Sequence, residues 1–140
     1  MIEEALTLSH GTILICGHDL DLAAVREMQD AVLVSPLLDF QSAFLEFQTA
    51  NTARSILALQ RCEELLHGFL RCDGMIAFDT SGRITAYRVF FRPVAASSET
   101  QVTGGARRRA FEGVKSLVGN QLLSALFRSQ DGLTLEHGVN

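Results

Sequence analysis

The apolar positions of this chain fall into short segments whose spacing switches between strand and helix periods. Gly11 to Gly17 (GTILICG) is an apolar, β-branched run between glycines, which predicts a buried strand because so short a helix does not stand alone. From Asp19, a suitable N-cap, Leu22, Val25 and Met28 recur at helical spacing and predict a helix. Ala31 to Ser35 reads as a second strand that Pro36 ends. Phe40, Phe44 and Phe47 predict one or two short helical turns between Asp39 and Ala50, packing their rings onto the sheet. Asn51 or Thr52 then caps the longest helix, from Ala53 to about Leu70, with Ile56, Leu59, Cys62, Leu66 and Phe69 inward. Arg61, Glu63, Glu64 and His67 lie on its wet side.

Beyond that helix, Met75 to Phe78 and Arg83 to Phe91 predict two strands joined at Asp79-Thr80-Ser81-Gly82, the clearest hairpin in the chain. Apolar residues on both faces of the second strand place it inside a sheet. Pro93 to Thr103 is a polar loop, and Gly104-Gly105 opens a helix from Ala106 to about Val118. Gln121 to Arg128 and Leu133 to Glu136 read as closing strands around the turn Ser129 to Gly132. Strands interspersed with helices, with no repeat or linker, predict an α/β domain of three layers, a central mixed β-sheet flanked by helices, over residues 1–140.

Composition narrows the function classes. At 47% apolar and 20% charged, the 140-residue chain can bury a core without a disulfide or metal staple. Cys16, Cys62 and Cys72 form no CxxC pair, and His10, His18, His67 and His137 have no zinc-type spacing. No apolar run approaches the roughly 18 to 20 residues that span a bilayer. Glu3 and Glu4 stand where a secretory signal carries basic residues, so a cytoplasmic location is the expectation. The net charge of −4 argues against a general nucleic-acid coat. Arginine nonetheless far outnumbers lysine, and Arg107, Arg108 and Arg109 are consecutive, a pattern suited to bidentate phosphate recognition or produced by coding bias.

Three polar groups stand at element boundaries: Asp73-Gly74 before a strand, Gly104-Gly105-Ala106-Arg107-Arg108-Arg109 entering a helix, and Ser129-Gln130-Asp131-Gly132 between strands. Each has an ordinary reading, respectively an Asx turn, a solvated basic helix turn and a hairpin turn. Together they offer more. Glycines admit close backbone approach, a helix start supplies unpaired N–H groups, and arginines there oppose the helix dipole unless an anion compensates them. Two carboxylates beside such a turn are the parts of a metal–nucleotide site, since Mg²⁺ takes one or two carboxylates plus phosphate oxygens.

In this order the motifs resemble those of the diadenylate cyclase superfamily, which includes the nucleotide-binding domains of DNA-integrity scanning proteins and sensor-type relatives. His10-Gly11-Thr12 opens the first strand, Asp73-Gly74-Met75 stands for the family's Asp-Gly-Ala, Gly105-Ala106-Arg107-Arg108-Arg109-Ala110 for its Gly-Thr-Arg-His-Arg-Ala, and Ser129-Gln130-Asp131 for its Ser-Glu-Glu. The resemblance implies a twisted mixed sheet, an ATP site between these loops, and a homodimer or higher oligomer. In such a dimer each ATP 3′-hydroxyl attacks the other's α-phosphate to give cyclic di-AMP. It further implies that Asp73 and Asp131 hold Mg²⁺ or Mn²⁺, that Asp73, Arg107 and Arg109 are catalytic, and that Gly74, Met75, Gly104, Gly105, Ala106, Arg108 and Ser129 line the nucleotide. Arg108 replaces the family's histidine, Met75 its alanine, Ala106 its threonine and Asp131 a glutamate. These departures keep two further readings open: a degenerate domain that senses a nucleotide or cyclic nucleotide, and an interaction module whose arginines meet an acidic partner. None of the three involves a membrane or a specific nucleic acid.

Overall fold

A computed structural model describes residues 11–18, 21–93 and 105–139. Along the chain run β1 (Thr12–Cys16), β2 (Met28–Gln29), β3 (Val32–Leu38), α1 (Phe40–Ala50), α2 (Ala53–Arg71), β4 (Met75–Phe78), β5 (Ile84–Phe91), α3 (Ala106–Lys115), β6 (Ser124–Arg128) and β7 (Thr134–Gly138). The strands form one mixed seven-stranded sheet in the order β2-β5-β4-β1-β6-β7, with β3 also on β5. Among these strands β1 and β4 pair in parallel and the other pairs are antiparallel. β2 and β3 lie end to end along one edge of β5, and Met28 with Phe91 and Val32 with Tyr87 belong to the same register.

Both faces of the sheet are covered, which gives the three expected layers. On one face α3 and the 21–28 segment bury Phe111, Val114, Leu22 and Val25 against Ile13, Met75, Val89 and Phe127. On the other, Phe40 from α1 and Leu66 and Leu70 from α2 pack with Ile76 and Ile84, and Phe69 stacks on Tyr87 with ring centroids 4.6 Å apart. Asp39 caps α1 by accepting from Ser42 N, and Thr52 and Ser55 form a reciprocal capping box at the start of α2. Both β-hairpins close on a glycine in the left-handed region, Gly82 in the first and Gly132 in the second. Among the described residues no helix is long and apolar enough to cross a membrane.

Several expectations change. The segment carrying Leu22, Val25 and Met28 is not a helix: its residues bury as expected, but Ala24 N donates to Asp21 O and Met28 N to Val25 O, three-residue turns that suit an unbroken spacing of three. The proposed cap, Asp19, lies outside the described residues. β3 does not end at Pro36. It continues to Leu38 through a cis Ser35-Pro36 peptide, because this edge strand leaves its ladder between Leu33 and Leu38 and loses no bond to the missing N–H. α1 is one continuous helix that buries its aromatic trio unequally: Phe40 is buried and Phe47 half-buried, whereas Phe44 is 41% exposed. Ile56 on α2 is exposed, since the end of α2 and not its beginning lies on the sheet. α3 stops at Lys115, where Ser116 N turns back to Gly113 O, and β6 begins only at Ser124.

Candidate functional site

Strand direction brings the three polar groups to one end of the sheet. Because β1 and β4 are parallel, with Ile13 opposite Met75, the residues preceding the two strands, Gly11 and Gly74 among them, lie at the same end of the sheet. Because β5 and β6 run antiparallel to these two strands, their C-terminal ends, and hence Ser129 just after β6, arrive at the same end. Pairing sets Val89, Met75, Ile13 and Phe127 in one row across four adjacent strands. This row belongs to the apolar cluster that α3 covers.

Over the row lies a cavity of about 900 Å³, in the size range of small-molecule sites. The four residues line it together with Gly11, Asp73, Gly74, Gly105, Ala106, Arg107, Arg108, Ser129 and Asp131. The two distant carboxylates and the arginine turn thus meet at one place. Arg109 is not among the lining residues, although Arg108 is; successive helical positions diverge by about 100°, so one stretch of α3 cannot aim three consecutive side chains into one space. Gly104 and His10 lie outside the described residues. Met75 lines the cavity but is only 2% exposed, so its side chain belongs to the core.

Two glycines are dictated by geometry. Gly74 has φ +100°, and a Cβ there would sit 2.9 Å from Arg88 Cα. Gly11 has φ +92°, and a Cβ there would meet Arg128 O at 3.3 Å. Gly105 is the N-cap of α3 and has no side chain to cap it, and no acidic residue stands in the first turn. Arg107 Nη2 donates to Asp73 Oδ1 at 3.0 Å. Side chains 43% and 84% exposed give such a pair about 0–1 kcal/mol, little enough for a ligand to rearrange it. Ser129 Oγ accepts from Leu133 N at 3.0 Å, which fixes the turn that carries Asp131.

Among the described residues no group of three or more His, Cys, Asp or Glu side chains is arranged to hold a metal ion. The hard oxygen donors Asp73 and Asp131 nevertheless match what a nucleotide-borne Mg²⁺ or Mn²⁺ takes from a protein, one or two carboxylates. Gln130 of the Ser129–Gly132 turn also lines the cavity, as do Arg88, Phe90 and Phe91, which sequence reasoning missed. Phe90 and Phe91 read as ordinary strand residues, and nothing in their spacing marks them. Comparison with protein-family models, curated proteins and solved structures gives no match. The fold and site define a three-layer α/β domain with an amphipathic, arginine-flanked cavity at one end of its sheet.

Proposed function

We propose that the cavity binds a purine nucleotide, its phosphates at the glycine-led start of α3 and its base toward the apolar row, and that the domain is a diadenylate-cyclase-like nucleotidyltransferase. The observation that carries this reading is the meeting of Asp73, Asp131, Arg107 and Arg108 around one cavity with an apolar floor. Arginines supply bidentate donors to phosphate oxygens, and the unpaired N–H groups of a helix start add to them. A divalent cation bound with the nucleotide would neutralise phosphate charge, with Asp73 and Asp131 as its protein ligands. Gly74 and Gly105 admit close backbone approach, and catalysis by this chain's residues is positioning and charge neutralisation.

Condensation of two ATP molecules into cyclic di-AMP needs two such cavities face to face, so this reading requires a homodimer or higher oligomer. Each 3′-oxygen bonds the other nucleotide's α-phosphorus as pyrophosphate leaves and the hydroxyl proton is lost. Arg108 favours a second reading, a nucleotide or cyclic-nucleotide sensor, because it stands where the family it resembles has a histidine and a guanidinium cannot accept a proton. Calorimetry with ATP tests binding: Arg107→Ala is expected to weaken it about tenfold or more. Mass spectrometry after incubation with ATP and Mg²⁺ or Mn²⁺ separates the readings. A cyclic dinucleotide lost in Asp73→Asn supports the cyclase, saturable binding without product supports the sensor, and binding of neither ATP nor cyclic di-AMP overturns both.

A further inference from the structure

Opposite Gly74, the β4–β5 ladder is irregular. Met75 pairs with Val89 and Ala77 with Ala86, so Tyr87 and Arg88 on β5 face Ile76 alone on β4, a β-bulge. Tyr87 packs with the α2 side of the sheet and Val89 with the α3 side, which makes Arg88 the inserted residue. Its φ is +55°, in the left-handed region that a long side chain adopts only at an energetic cost. Bulges re-aim side chains beside functional sites, and backbone strain persists where the surroundings enforce it. Here Gly74 closes directly over Arg88 Cα. Arg88 is exposed, lines the cavity, and makes no side-chain hydrogen bond or ion pair among the described residues.

We propose that Arg88 is a phosphate-binding residue of the cavity and the source of the surplus positive charge among its described lining residues. Among the described lining residues Arg88, Arg107 and Arg108 stand with Asp73 and Asp131, so without Arg88 the formal charges of this set cancel. A cavity of zero net charge gives a polyphosphate no long-range attraction, whereas a surplus guanidinium supplies both attraction and a bidentate contact. This inference rests on the nucleotide reading and extends it: Arg88 allows an anion to be held before any metal arrives.

The test is calorimetry with ATP in EDTA on the wild-type protein, Arg88→Asn and Arg88→Lys, each also melted thermally. Asparagine tolerates the left-handed region better than arginine, so Arg88→Asn is expected to keep or raise the melting temperature while weakening ATP about tenfold or more. Arg88→Lys retains the charge and is expected to recover part of the affinity. Wild-type binding that Arg88→Asn leaves unchanged overturns the role of Arg88 alone, as does an affinity loss accompanied by a fall in melting temperature. Binding of cyclic di-AMP but not ATP also overturns that role, and binding of neither overturns the nucleotide reading on which it stands.

Discussion

Gly74 and Gly82 both have positive φ, yet they occupy different surroundings. A methyl at Gly74 meets backbone atoms of Arg88 and Val89, whereas nothing lies within 4 Å of one at Gly82. Gly74→Ala is therefore expected to cost about 2–3 kcal/mol and Gly82→Ala about 1 kcal/mol in urea unfolding, the difference being the backbone that must shift. Equal costs would mean that the contact between Gly74 and Arg88 is relaxed in solution. At this scale the sequence was partly readable. Asp73, Gly74 and Asp131 stand out because polar and glycine residues interrupt apolar runs. Arg88 does not, because its place in a regular alternation conceals a bulge that exists only through pairing with β4.

Among the elements, the β4–β5 hairpin and the start of α1 depend on one carboxylate each. Burial works to raise the pKa of Asp79, but bonds from Arg83 N, the Arg83 side chain and Ser81 N outweigh it and hold the group below its ordinary 3.8. The backbone and side chain of Ser42 lower Asp39 in the same way. A carboxylate with a depressed native pKa stabilises the fold above its unfolded pKa and loses that contribution as pH falls through the native value. The melting temperature is thus expected to drop below about pH 4, and Asp79→Asn to melt lower at neutral pH with a flatter acid limb. An unchanged acid profile in that variant would remove Asp79 from the stability of the hairpin. The hairpin was legible because its turn chemistry is local. The 21–28 segment was misread because a spacing of three serves consecutive turns as well as a helix, and the pairing of Met28 with Phe91 decides between them. The exposure of Phe44 was hidden for a related reason, since periodicity shows which face of a helix is apolar but not how far the sheet extends beneath it.

For the whole molecule, an overall charge of −4 coexists with a cavity whose described lining residues carry three arginines against two aspartates, so attraction of an anion there is local and sensitive to salt. The meeting of Asp73 with Asp131 could only be hoped for from motif order; what realises it is the parallel pairing of β1 with β4 and the antiparallel return of β6. The floor formed by Val89, Met75, Ile13 and Phe127 was illegible for the same reason, because register between distant strands has no signature within any one of them. Amide chemical-shift mapping during an ATP titration, with Mg²⁺ and without, examines this convergence in one experiment. Shifts concentrated at Gly11, Gly74, Arg107 and Ser129 through Gly132 are the expected result. Saturating shifts confined to the α1–α2 surface, or no shifts at millimolar ATP, would contradict a nucleotide site at this end of the sheet.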